Sequence, residues 1–215
     1  MTMTTTTADS LSHSDGPSPA QIKRGRRTTM LLFAVGFGPM LVATVMFYTG
    51  WLNPAGQSNQ GQLIQPPVPV AELNLETTAG EPLQARFGVD VADPKWLMLV
   101  AAERCAEDCE QLLYLARQVN VALGKNAPRV GRAAYLGTIP ADLERRWPEE
   151  YQLMERLQPA AGKTPAWPAA INPEQQPRIL LIDPFGNVMM HYGSEHTGKQ
   201  MLKDLKHLLK LSQIG

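Results

Sequence analysis

The chain has 215 residues, enough for one folded domain with additional segments. Its 20 Lys and Arg residues balance its 20 Asp and Glu residues, so the formal net charge is zero. Because no bulk basic field is present, we expect no nucleic-acid partner.

The N-terminal part predicts a tail and a membrane anchor. Residues 1–28 are rich in Thr and Ser and lack apolar periodicity, which predicts a disordered tail. Residues 29–51 predict one transmembrane helix. The 20 residues 30–49 are almost wholly apolar and span about 30 Å of hydrocarbon at about 1.5 Å per residue. Tyr48 and Trp51 lie at the far end, where amphipathic rings prefer the membrane interface.

Four basic residues give this helix a predicted orientation: Lys23, Arg24, Arg26 and Arg27 precede its apolar stretch. By the positive-inside rule, the tail stays in the cytoplasm and the C-terminal bulk is exported. A cleaved signal peptide is the alternative. It would have a shorter apolar core followed by a small-x-small cleavage site, and the sequence shows neither. We therefore favour an uncleaved anchor that leaves the cysteines in an oxidising compartment.

After the anchor, the sequence predicts a linker and one domain. Residues 52–70 are rich in Pro, Gly and Gln and predict an extended linker. The domain, residues 71–215, begins with a predicted hairpin whose strands are 73–77 and 82–87. A continuous apolar run at 96–102 predicts a buried strand, and helical spacing predicts a helix at 107–123.

The second half of the domain continues this alternation. We predict a strand at 129–136, a helix at 140–157 broken or kinked at Pro148, a loop at 159–177, a hairpin of strands 178–183 and 188–192, and an amphipathic helix at 198–211. Alternating strands and helices that end in a hairpin and one helix predict the α/β class. The specific expectation is a thioredoxin-like domain, a central mixed sheet with flanking helices.

The two cysteines of the chain lie together in the segment Cys105-Ala-Glu-Asp-Cys109, between the predicted strand 96–102 and the helix 107–123. Their sulfurs can meet if Cys105 lies in the loop and Cys109 in the first helical turn. The helix N-terminus favours a thiolate, and thiolates serve both redox exchange and Cu(I) binding. An inert structural disulfide or a pair of unreactive buried thiols is the alternative.

The charges around the pair oppose a strongly acidic thiol. Nearby carboxylates raise the pKa of a thiol, and a single arginine offsets only part of that effect. The carboxylates are Glu103, Glu107, Asp108 and Glu110, and the arginine is Arg104. We therefore do not expect a nucleophile of the kind found in potent oxidants.

The segments WLMLVAAERCAEDCEQLLYLARQV and ILLIDPFGNVMMHYG, with the closing basic helix, resemble the Sco family. Those proteins are membrane-anchored, have a thioredoxin fold, and help to load copper into cytochrome c oxidase subunit II. The resemblance implies a bacterial inner-membrane protein with a cytoplasmic N-terminus and a periplasmic domain. It also implies that Cys105 and Cys109 form its site.

Two departures from the Sco pattern matter. Ala106 and Glu110 stand where Sco proteins usually have prolines beside the cysteines. The Sco copper-ligand histidine is also absent, and Gln175 falls near its position. Pro177 lies where redox-active thioredoxin-like proteins carry a cis-proline, although the sequence does not give the isomer.

His191 is a weak candidate for a third copper ligand. It follows Met189 and Met190, and thioethers are soft ligands. The simpler interpretation is a strand residue beside methionines that fill the core.

We therefore hypothesise an accessory factor for cytochrome c oxidase assembly. Cys105 and Cys109 would either pass Cu(I) to the oxidase copper centre or keep its cysteines reduced. The protein would then be a metallochaperone or a thiol–disulfide oxidoreductase. The alternative is a non-catalytic, membrane-anchored scaffold with a structural disulfide.

Overall fold

The structure, a computed structural model, describes residues 19–49 and 59–212, which belong to two compact units divided after Gln57. The first unit contains helix α1, Pro19–Thr49, which is long and apolar enough to cross a membrane. The disordered tail predicted for 1–28 is therefore wrong for residues 19–28, which are helical. Proline is favoured at a first helical position, and Lys and Arg are good helix formers. The predictions for residues 1–18 and 50–58 fall outside the described residues.

A seven-stranded mixed sheet forms the centre of the second unit. Its strands are β1 Gln62–Pro69, β2 Leu75–Thr77, β3 Trp96–Arg104, β4 Val130–Thr138, β5 Glu155–Pro159, β6 Arg178–Ile182 and β7 Asn187–Tyr192. They are ordered β1-β7-β6-β3-β4-β5-β2. Strands β3, β4 and β5 run parallel, and β6 pairs antiparallel with both β3 and β7. This arrangement confirms the thioredoxin-like fold.

Strand β1 corrects the predicted linker at 52–70. Residues 62–69 of that segment form the sheet edge and pair antiparallel with β7, with Leu63 opposite Met190. An edge position tolerates prolines, because one row of backbone donors in an edge strand needs no partner in the sheet. The side chain of Ile64 is buried in the core, which explains why this Pro-rich segment joins the domain.

The predicted hairpin at 73–87 is also wrong. Only β2 is a strand, and it pairs with β5 instead of with residues 82–87. Those residues form a 3₁₀ helix, Leu83–Arg86, and a single bridge joins Glu76 to Pro82. Proline has no backbone N–H to donate to a ladder, so Pro82 is a poor start for a return strand.

The helix predicted at 140–157 is correct only in its first part. Helix α3 covers Ala141–Glu150 and contains Pro148, and the chain then forms β5. Strand β5 pairs parallel with β4 and buries Leu157. A short segment with one buried apolar residue has no clear hydrophobic periodicity, so its sequence does not distinguish a strand from a helix.

The helices pack on one face of the sheet. Helix α2, Glu107–Ala122, helix α3 and helix α4, Gly198–Leu211, all supply residues to one buried cluster, which we call the helical-face core. The opposite face carries a second cluster, formed with the 3₁₀ segments Val70–Leu73 and Leu83–Arg86 and with loop residues such as Ile171. Both cysteines belong to the helical-face core.

Candidate functional site: the cysteine pair at the β3–α2 junction

Cys105 and Cys109 form a disulfide at the point where the central strand leads into a helix. Strand β3 is buried over most of its length, and its last residue directly precedes Cys105. Cys109 lies in the first turn of α2, and the two Cα atoms are 5.0 Å apart. The backbone N–H of Cys105 donates to the carbonyl of Thr138, 3.0 Å away, which ties the junction to the end of β4. The pairing thus occurs at the loop-to-helix junction that the spacing suggests.

The disulfide is shielded from solvent. Cys105 is 5% exposed and Cys109 is 1% exposed. The surrounding helical-face core includes Leu113, Leu143 and Trp147. A nucleophile from a partner therefore reaches either sulfur only after the local structure opens.

An arginine from α3 changes the charge balance at the site. The Arg146 guanidinium donates a 2.8 Å hydrogen bond to the carboxylate of Glu110. Glu110 directly follows Cys109 in the sequence. Arg146 also pairs with Asp142 and Glu150 on its own helix. These hydrogen bonds, first of all that with Glu110, raise the pKa of Arg146, which stays charged. Arg146 was missed in the sequence because it lies 36 residues from Glu110 and no local pattern joins them.

Glu103 is held on the other side of the junction. The Tyr135 hydroxyl donates to its carboxylate at 3.1 Å, and the Thr138 hydroxyl donates to its backbone carbonyl at 3.3 Å. Burial, followed by the charge of Glu103 and the hydrogen bond to it, raises the pKa of Tyr135 to about 12. Tyr135 is therefore a neutral donor at physiological pH. Two of the four carboxylates near the cysteines thus have specific partners, and the positive charge of Arg146 offsets part of their negative charge.

Pro177 directly precedes β6, but a different proline of the same loop makes the backbone hydrogen bond to the end of β3. The carbonyl of Pro173 accepts a hydrogen bond from the N–H of Glu103 at 3.2 Å. Among the described residues the cis peptide bond is Gln65–Pro66, so the Gln176–Pro177 bond is trans. The cis-proline geometry associated with Pro177 is therefore not found.

His191 is placed away from the cysteines. Strand β7 pairs His191 with Leu180, which belongs to the cluster on the face opposite the helices. Residues opposite one another in a sheet point to the same face, so His191 and the disulfide lie on different faces. The side chain is 3% exposed, and its Nδ1 atom has no hydrogen-bond partner among the residues that the structure describes. Burial, and then the charge of Arg178, lowers the pKa of His191.

The site therefore has two sulfur atoms and no third ligand from the predicted set. Within 19–49 and 59–212, no group of three or more His, Cys, Asp or Glu side chains is arranged to hold a metal ion. In the disulfide the sulfurs are bonded to each other and are not thiolates. Only the reduced pair fits Cu(I), as a two-thiolate site.

Several solved structures resemble the chain at low sequence identity. Solved structures with a similar chain path include yeast Sco1, at 14% identity and a TM-score of 0.47 over 74% of this chain and 100% of that chain. Another is the apo Sco1 protein of Thermus thermophilus, at 15% identity and a TM-score of 0.46 over 72% and 99%. A thiol peroxidase from Chromobacterium violaceum matches at 13% identity and a TM-score of 0.39 over 56% and 75%. No curated protein sequence matches the chain.

Two family descriptions match the sequence itself. Residues 19–50 match a transmembrane-like N-terminal domain, which covers α1. Residues 96–212 match a transmembrane-like, thioredoxin-like C-terminal domain, which begins at β3 and includes the cysteine pair. The matched residues cover more than half of the chain. The chain therefore belongs to the family of transmembrane-like proteins with a thioredoxin-like C-terminal domain.

Proposed function

We propose that this protein is a membrane-anchored, Sco-like thiol protein that acts in cytochrome c oxidase assembly through Cys105 and Cys109. The observation that supports this function best is the disulfide at the end of β3 and the start of α2. Two cysteines there can cycle between a dithiol and a disulfide. We further propose that α1 holds the domain on the periplasmic side of a bacterial inner membrane, where its partner would be oxidase subunit II.

The redox form of the proposal has a balanced reaction. The Cys105 thiolate attacks one sulfur of a disulfide in the target and displaces the other sulfur as a thiolate. The Cys109 thiolate then attacks the Cys105 sulfur and releases the second target thiol. Two electrons and two protons pass to the target, and the Cys105–Cys109 disulfide forms. The target cysteines would then be able to bind copper.

Copper transfer is the other form of the same proposal. The reduced pair would carry Cu(I) between two thiolates as cargo. His191 lies on the sheet face opposite the disulfide, so we do not propose it as a third copper ligand. We therefore favour thiol reduction over copper delivery.

A scaffold is the second candidate, and the burial of both sulfurs favours it. A disulfide that is 5% and 1% exposed is protected from reductants, as a structural bond is. In that case the domain would act by protein contact alone.

Two measurements on the full chain separate these functions. A structural disulfide has a reduction potential below about −300 mV, whereas a working redox pair lies above that value. A Cu(I) competition titration of the reduced protein tests delivery against the Cys105→Ser/Cys109→Ser variant. Copper delivery fails if both proteins bind Cu(I) equally, and thiol reduction fails if the potential is below the structural limit.

A further inference from the structure

A second group of soft donor atoms lies on the sheet edge far from the cysteines. A cavity of about 240 Å³ opens between β1, β7 and α4. Its lining consists of Asn59, Leu63, Met189, Met190, Asp204, His207, Leu208 and Leu211. The cavity therefore contains two thioethers, an imidazole and a carboxylate.

An irregularity in β7 brings the two methionines together. Consecutive strand residues normally point to opposite faces. The β6–β7 register, however, pairs Leu181 with Met190 and Ile182 with Val188, which leaves Met189 as an extra residue. Such bulges re-aim side chains, and here Met189 and Met190 both pack against the helical-face core. Two adjacent thioethers thus lie on the face covered by α4.

The carboxylate in the cavity is already engaged. Asp204 accepts hydrogen bonds from the backbone N–H groups of Gln60 and Gly61, at 2.8 to 3.0 Å, and from the Tyr192 hydroxyl at 3.1 Å. The same hydroxyl lies 3.0 Å from the Met190 sulfur. A carboxylate is the stronger acceptor, so the hydroxyl proton belongs with Asp204 and the sulfur keeps its lone pairs. The remaining donors are the sulfurs of Met189 and Met190 and the imidazole of His207, which is exposed on α4.

We infer that Met189, Met190 and His207 form a binding site for Cu(I) that is separate from the cysteine pair. Thioethers select soft ions, and imidazole adds a ligand that suits copper, so the donor set favours Cu(I) over hard cations such as Mg²⁺ or Ca²⁺.

The two sites are well separated along the sheet. Met190 pairs with Leu181, and Leu181 pairs with Met98, which is six residues before the end of β3. At about 3.3 Å per residue, this offset places the site roughly 20 Å from the β3–α2 junction along the strand direction. The inference therefore does not depend on the proposed role of Cys105 and Cys109.

The test uses the full chain in detergent with its disulfide intact and Ag(I) as the probe, because Ag(I) resembles Cu(I) and needs no reductant. We expect one Ag(I) ion to bind and to shift the methyl NMR signals of Met189 and Met190. The affinity for Ag(I) should fall in Met189→Leu and in His207→Gln, because each change removes a direct ligand. Loss of an outer-shell partner costs roughly 10- to 100-fold in metal affinity, so the loss here should be larger. Met154→Leu changes a buried methionine outside the cavity and should bind like the wild type.

Leucine nearly conserves the volume of methionine, so the variants should fold. The thermal unfolding midpoint of each variant checks this point, and Met190→Leu replaces any variant that does not fold. The inference is overturned if Ag(I) leaves both methyl signals unshifted. It is also overturned if the folded variants bind Ag(I) as tightly as the wild type.

Discussion

Arg146 donates a 2.8 Å hydrogen bond to Glu110, the residue that follows Cys109. This contact brings a positive charge from α3 to the first turn of α2. It partly cancels the carboxylate that would otherwise raise the pKa of the Cys109 thiol. We therefore expect the reactivity of the reduced pair to depend on Arg146, although it lies 36 residues from Glu110 in the sequence.

The first prediction concerns the thiol pKa of the reduced protein. Arg146→Gln should raise it, because the Glu110 carboxylate would then lie unpaired beside the cysteine. The Arg146–Glu110 pair is partly exposed, so solvent screening should keep this change small. The rate of iodoacetamide alkylation as a function of pH measures the shift.

Arg145→Gln is the matched control, because Arg145 is exposed and donates a hydrogen bond to the backbone carbonyl of Ala141 on its own helix. Glu110→Gln should move the profile in the opposite direction. If Arg146→Gln and Arg145→Gln give the same profile, Arg146 does not influence the thiols.

The second prediction concerns the stabilisation by the disulfide. It closes a short loop, with a sequence separation of 4. In the chain-entropy model such a loop is worth about 2 kcal/mol of the free energy of unfolding. Urea unfolding before and after reduction should show a loss of this size. If reduction leaves the unfolding midpoint unchanged, the disulfide does not stabilise the fold.

The third prediction concerns His191. Burial lowers its pKa in the folded state, so the unfolded state binds the proton more readily. The contribution of neutral His191 to the free energy of unfolding is therefore fully present above about pH 6.5, the pKa of histidine in an unfolded chain. It is lost as the pH falls from there toward the lower pKa of the folded state. His191→Leu should flatten this dependence. It should not destabilise the fold at pH 7, because it removes a buried nitrogen that has no hydrogen-bond partner within the described part of the chain.

Thermal unfolding midpoints between pH 7.5 and 5 test this expectation. His207→Gln is the control, because His207 is exposed on α4 and should leave the pH dependence in place. A pH dependence in His191→Leu as steep as that of the wild type would show that another group is responsible.

The fourth prediction concerns the attachment of β1. Asp204 accepts backbone hydrogen bonds from Gln60 and Gly61, just before the strand. Asp204→Asn replaces one acceptor with a donor, which should cost about 2 kcal/mol of the free energy of unfolding. Hydrogen exchange at the amides of β1 should increase, whereas Asp90→Asn, at an exposed position, should change neither quantity. Unchanged exchange in Asp204→Asn would exclude this role.

The sequence was informative where periodicity was strong. The apolar run of β3, the stripe of α2 and the closing helix α4 all follow their predicted bounds closely. Strands β1 and β5 were missed because one is Pro-rich and the other buries only one residue fully, so neither alternates clearly. Tertiary pairing, with β7 and β4 respectively, decides both.

In the candidate site, too, the local features were predictable from the sequence and the tertiary contacts were not. The strand–helix junction and the spacing of Cys105 and Cys109 predicted where the two sulfurs could meet, but not that they are bonded to each other. The contact of Arg146 with Glu110 depends on how α3 packs against α2, which no local pattern encodes. The face of His191 depends on an irregular register in β7, where simple alternation is unreliable.

The proposed function requires Cys105 and Cys109. The most direct test is cytochrome c oxidase activity in cells that produce the Cys105→Ser/Cys109→Ser variant at the wild-type level in the membrane. Cells that lack the protein set the lower reference. The proposal predicts that the variant loses as much oxidase activity as those cells do. Full oxidase activity in the variant would contradict a thiol function and would support the scaffold.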